Sequence, residues 1–159
     1  MPATDIPEYE QVDSTHSALS LSDDFRHSVQ SVGGVCVDLG DSAAIDHIAP
    51  SDLKSYFEGR EPVILQAHFG VAENGACWIV HRPDDDRTRY TLPHDLAILL
   101  PRDALLPTMH EAYARIVQLG IDDFGLFLSG PSKTADIEQA LVLGAQGAIE
   151  TKVFLCRRI

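Results

Sequence analysis

The chain has 159 residues, 45% of them hydrophobic, which is enough for one domain to bury a core without disulfides or a structural metal. Its formal net charge of -12 repels nucleic acid and anionic lipid, so both are excluded as partners and any anion site must be built locally. The three cysteines, Cys36, Cys77 and Cys156, are far apart, which excludes a clustered iron–sulfur or zinc ligand set, so no cofactor is expected.

Residues 1 to 20 carry Pro2, Pro7 and several acids with little periodicity, and read as an N-terminal arm ahead of a single domain over 21–159. Ser22-Asp23-Asp24 looks like a helix start, with Phe25, Val29 and Val32 on one face and Gly33-Gly34 as the stop. "VCVDL", 35–39, is a strand. "SDLKSYFEG", 51–59, is a short helix with Ser51 as N-cap. "PVILQA", 62–67, and "ACWIVH", 76–81, are strands, and "RPDDDR", 82–87, is a polar loop. The region from 62 to about 91 is expected to hold neighbouring antiparallel strands.

"LAILL", 96–100, is a continuous apolar run closed by Pro101, and far too short to span a bilayer. Thr108 to Glu111 has the form of a capping box. Met109, Ala112, Tyr113, Ile116 and Val117 follow as one apolar stripe, and Gly120 ends it. "GLFLS", 125–129, is a strand. Ile137, Ala140, Leu141 and Gly144 mark a helix opening near Thr134, and "KVFLC", 152–156, is the last strand. Strands that are apolar throughout belong to a parallel sheet covered on both faces. The fold class is therefore α/β, an open, mostly parallel or mixed sheet with helices on both faces. Within it, 96–100, 125–129 and 152–156 are expected as neighbours. The acidic, polar N-terminus does not have the form of a signal peptide, and unclustered cysteines suit a reducing compartment; the expected localisation is cytoplasmic.

"GPSKTADIE", 130–138, sits between a strand and a predicted helix, where open α/β sheets bind ligands. Ser132, Lys133 and Thr134 are donors for an anion, and helix-start amides favour one. The Walker spacing is absent, so this is no nucleotide P-loop. Capping alone accounts for the hydroxyls and for Asp136, but not for the lysine between them.

The stretch "GPSKTADIEQALVLGAQG", 130–147, closely resembles the C-terminal signature of the LUD (lactate utilisation) domain of LutC/YkgG-like proteins. "VAENGA", 71–76, and "LPHDLAILLPRDALLPTMHEA", 92–112, resemble further segments of that family. Lys133 stands where the family has arginine, Asn74 and Ala76 stand for threonines, and Gln146 and Ala148 stand for a His and a Pro. The resemblance implies a fold similar to the NagB/RpiA/CoA-transferase-like group. It also implies an accessory part in oxidising L-lactate to pyruvate, beside an iron–sulfur partner protein. Two other readings stand beside it: an enzyme acting on a sugar phosphate or CoA ester, and a non-catalytic protein-binding subunit. A homodimer is compatible with each.

The expected site follows. Gly130, Ser132, Lys133, Thr134 and Glu138 bind a small anionic metabolite. Glu73, flanked by Gly70 and Gly75, and Asp136 orient it or exchange a proton with it. His68 is close enough in sequence to share the site. Asp84, Asp85 and Asp86 are consecutive, and consecutive residues do not converge on one cation, so no metal site is expected.

Overall fold

The computed structural model of the chain describes residues 18–81, 83–120, 124–135, 141–143 and 147–157. Its first sheet is parallel throughout, in the order β1 (Val35–Asp38), β10 (Glu150–Cys156), β5 (Asp95–Pro101) and β2 (Val63–Gln66). Every residue of β5 is buried, because both faces of the strand are covered. Alternation divides its side chains. Leu96, Ile98 and Leu100, with Val153 and Leu155 of β10, pack against Phe25 and Val29 of helix α1 (Ala18–Ser31). Ala97 and Leu99, with Phe154 and Cys156, pack on the opposite side against Leu53 and Phe57 of a 3-10 helix, Pro50–Phe57. The α/β class with a mostly parallel sheet follows directly from this two-sided burial.

A second, mixed sheet has the order β6 (Leu105–Leu106), β3 (Phe69–Val71), β4 (Ala76–Val80) and β7 (Gly125–Leu128). Cys77 and Ile79 of β4 face the first sheet. Trp78 turns the other way, joining Phe69 and Val71 under Ala112 of helix α2 (Met109–Leu119). Thr108 is the N-cap of α2, its hydroxyl accepting from the Glu111 N–H at 3.3 Å, and Gly120 closes the helix at φ 58°.

Several expectations are corrected. Strands 96–100 and 152–156 are neighbours over a seven-residue register, but 125–129 is not with them. Its residues 125–128 form β7, antiparallel to β4 in the second sheet, and Ser129 follows in the loop. An apolar run states that a segment is covered, not which sheet it joins. Gly125 suits the second sheet because its missing side chain admits the Trp78 indole. Of the strands between 62 and 91, β3 and β4 are an antiparallel pair, whereas β2 pairs parallel with β5.

No helix opens at Thr134 and Leu141 is in a strand, while Ile137, Ala140 and Gly144 of the expected helix lie outside the described residues. Lys133–Ala135 is strand β8, paired antiparallel with β9, Leu141–Leu143, so that Thr134 faces Val142. The Ser132 N–H, donated to the Ala148 carbonyl at 2.8 Å, leads the chain out extended. Helix α1 runs from Ala18, so Ser22 to Asp24 lie inside it; Leu21, packed against the core, carries the helix past the local cap signal. The helix expected from Ser51 is a 3-10 helix capped at Ala49, where Pro50 presets the first turn and Asp52 accepts from the Ala49 N–H at 2.8 Å.

All three cysteines are free thiols. Burial pushes the thiols of Cys77 and Cys156 upward, the latter to about 11. Among the described residues no helix is long and apolar enough to cross a membrane. Among them, too, no three His, Cys, Asp or Glu side chains form a group that could hold a metal ion.

Candidate functional site

The turn joining β3 to β4 and the loop leaving β7 lie at one end of the second sheet, where β3, β6 and β7 all finish. The β3 ladder continues beyond its last strand residue. Ala72 N–H donates to Leu106 O at 2.8 Å and Glu73 N–H to Pro107 O at 3.0 Å. The turn is then clamped from two sides. Ser28 Oγ donates to the Ala72 carbonyl at 2.6 Å, and Asn74 Oδ1 accepts from the Ala76 N–H at 3.1 Å. Gly75 has φ 67°, and a Cβ there would lie 2.7 Å from the Val29 nitrogen. Both the left-handed backbone and the close approach of α1 exclude a side chain.

This geometry presents Glu73 to helix α2. Its Oε2 accepts from the Met109 N–H at 2.8 Å, where unpaired amides and the helix dipole favour a carboxylate. Glu73 is exposed, so its other oxygen can still meet a ligand or water.

The loop 129–132 meets the same turn. Ser129 Oγ donates to the Asn74 carbonyl at 2.9 Å. Gly130 has φ 69°, and a Cβ on it would lie 2.8 Å from Val32 Cγ2, so the loop lies against the end of α1. Ser132 is tied through its N–H to Ala148, and a Cβ on Gly147 would lie 3.3 Å from that of Ser132.

From Ala148 the contacts run on to the lower edge of the first sheet. His94 O accepts from the N–H groups of Ile149 (3.0 Å) and Glu150 (3.1 Å). His94 Nδ1 hydrogen-bonds Asp95 at 2.7 Å, and Arg60 grips the other Asp95 oxygen through Nε at 2.5 Å. Burial pushes the Asp95 carboxyl up, but the hydrogen bonds and charges of Arg60 and His94 outweigh it and hold the group below the usual carboxylate range.

The two sequence motifs therefore meet through Asn74 and Ser129, the residue just before Gly130, neither of which was among the expected site residues. Glu73, Gly130 and Ser132 lie at the junction, and the backbones of Lys133 and Thr134 begin β8 immediately beyond it. Asp136 and Glu138 lie outside the described residues. His68 lies elsewhere, on the walls of two openings of about 540 and 610 Å³. The first of these is also lined by Gln66, Arg89 and Tyr90, which the sequence reading passed over. The signal for Arg89 and Tyr90 was available in "RTRY", 87–90, two arginines and a tyrosine directly after the acidic run. Of that run, Asp85 pairs with Arg89 at 2.9 Å and Asp86 caps the 3-10 helix Arg87–Tyr90 by accepting from the Thr88 N–H at 2.9 Å.

The fold and its motifs agree with what known proteins show. Residues 36–156 match the profile of the LUD domain. The chain is 32% identical over 80 residues to "Lactate utilization protein C" of Anoxybacillus flavithermus, a match covering 50% of this chain and 36% of that protein. It is 28% identical over 110 residues to the protein of the same name from an Exiguobacterium species, covering 62% of this chain and 48% of the relative. The chain thus spans less than half the length of these relatives. A solved DUF162 family protein from Deinococcus radiodurans superposes with a TM-score of 0.58 at 15% identity, covering 89% of this chain and 99% of that one, which is a likeness of fold. With the profile covering most of the chain, from the first strand to the last, the chain belongs to the LUD domain family.

Proposed function

We propose that this LUD-domain chain serves lactate or related organic-acid utilisation, as an accessory component of L-lactate oxidation to pyruvate that binds a small anionic ligand. The observation that carries the reading is the Ser129–Asn74 hydrogen bond of 2.9 Å, which seats the "VAENGA" turn against the "GPSK" loop at the start of helix α2. Relatives named for lactate utilisation supply the substrate class. In this reading Gly130, Ser132, Lys133, Thr134 and Glu138 hold the anion through backbone amides, hydroxyls and one ammonium. Glu73 and Asp136 orient it or exchange its proton. The oxidation releases two electrons and two protons, and the reading assigns the electrons to an iron–sulfur partner protein.

A second reading, a non-catalytic protein-binding subunit, is favoured by the exposed apolar side chains Tyr113, Val117 and Phe124 around α2 and β7. An enzyme acting on a sugar phosphate or CoA ester is the third, by analogy of fold. A thermal-shift screen with L-lactate, pyruvate, sugar phosphates and CoA esters separates them. Lys133→Glu should abolish the shift given by the active ligand while leaving the ligand-free melting temperature within about 1 °C of the parent. A Lys133→Glu protein that is stabilised as well as the parent sinks the anion site. Co-purification with an iron–sulfur protein, without any metabolite shift, favours the subunit.

A further inference from the structure

The carboxyl end of the first sheet takes no part in the junction just described, yet it is where parallel sheets present ligand sites. Strand β2 is its edge there, and its backbone groups alternate in direction. Ala67 N–H donates inward to Leu99 O at 2.8 Å, whereas Ile64 O accepts from Arg89 Nη2 at 3.0 Å on the open side. Gln66 shares the parity of Ile64, so its N–H also faces outward. Between this edge and the 3-10 helix Arg87–Tyr90 opens a cleft of about 540 Å³, whose exposed lining is more polar than apolar and includes Ile48 and Val80 among its apolar residues. That volume is within the range of small-molecule sites and far larger than a three-carbon acid needs.

The Arg89 side chain is held from two sides. Asp85 Oδ1 accepts from its Nη1 at 2.9 Å while Ile64 O holds Nη2, so the planar fork is fixed and N–H donors remain beyond these two bonds. The lining carries Asp46 and Asp85 against Arg89, which disfavours a polyanion. A single carboxylate, bound by directed donors, is compatible with that balance.

We propose that this cleft is a second ligand site, which binds a monocarboxylate with an apolar body. The carboxylate bonds Arg89 and the Gln66 N–H, and the body lies against Ile48 and Val80. The test uses 2-naphthoate as probe and the uncharged 2-naphthol as comparator, in amide-resolved NMR titrations of the full chain. Saturable shifts are expected at Gln66, Ala67, Arg89 and Tyr90, with naphthoate bound about tenfold tighter than naphthol. Arg89→Gln should remove that preference and leave naphthol binding unchanged. Gln66→Trp, at an exposed position on the mouth, should abolish binding of both and serves as the reading if Arg89→Gln fails to fold. Lys133→Glu should leave naphthoate binding intact, which separates this site from the lactate reading. The proposal is overturned if binding does not saturate, if the shifts fall elsewhere, if the two probes bind equally, or if folded Arg89→Gln retains the preference. It is equally overturned if Gln66→Trp binds naphthoate like the parent.

Discussion

Replacing Gly125 by alanine adds one methyl group where β7 crosses the Trp78 indole. The new carbon would lie 2.1 Å from Cζ2, 2.5 Å from Cη2 and 2.8 Å from Cε2. Carbon contacts settle near ~3.5–4.0 Å, so strand or ring must move by about 1.5 Å. Neither moves cheaply. Trp78 is 9% exposed, with Phe127 4.7 Å and Phe69 6.4 Å away between ring centroids. Overpacking of this kind costs about 1–3 kcal/mol, and a rigid ring against a backbone belongs in the upper half of that range, about 2–3 kcal/mol. For a chain of this size that predicts a melting temperature lower by about 4–12 °C.

Trp78 is the protein's single tryptophan, so its fluorescence reports both the unfolding transition and the local displacement. Gly125→Ala should lower the urea midpoint and shift the native emission. Gly120→Ala is the matched control. It has φ 58°, and a methyl group there would meet no described atom within 4 Å, so the change should cost about 1–2 kcal/mol of backbone strain with unchanged emission. If Gly125→Ala melts with the parent and emits like it, or is the milder of the two, the packing argument is wrong.

Two further perturbations probe the junction and the lower edge of the first sheet. Glu73→Ala removes the acceptor of the Met109 N–H and should cost about 1 kcal/mol, or about 2–4 °C in calorimetry. An unchanged melting temperature with a lost metabolite shift would instead give Glu73 a role in ligand chemistry alone. For Asp95 the folded carboxyl is depressed below its unfolded value. The stability this brings is present above the unfolded value of about 3.9 and lost as pH falls through the folded value. Urea midpoints of parent and Asp95→Asn should therefore differ most above about pH 5 and converge in acid. A gap that stays constant down to about pH 2.5 would contradict the assignment of Arg60 and His94 as its partners.

Much of the local structure was legible in the residues. Thr108 and Gly120 bounded α2 because caps are local chemistry, and the apolar runs at 96–100 and 152–156 announced strands covered on both faces. The motif "GPSKTADIE" pointed to the LUD family without reference to any contact. Tertiary structure alone decided the partners. The apolar strand 125–128 joins the second sheet because Gly125 lets Trp78 lie across it, a fact about residue 78 that no window around 125 contains. Strand β2 leaves its sequence neighbours for β5, and the chain after Ser132 leaves extended because Ala148 holds it. Glu73 was visible as a candidate, but its engagement with Met109 depends on β3 and β6 ending together. Periodicity and capping act over a few residues, so the sequence displays them. Strand pairing and ligand-sized clefts are set by contacts across dozens of residues, and these exist only once the chain has folded.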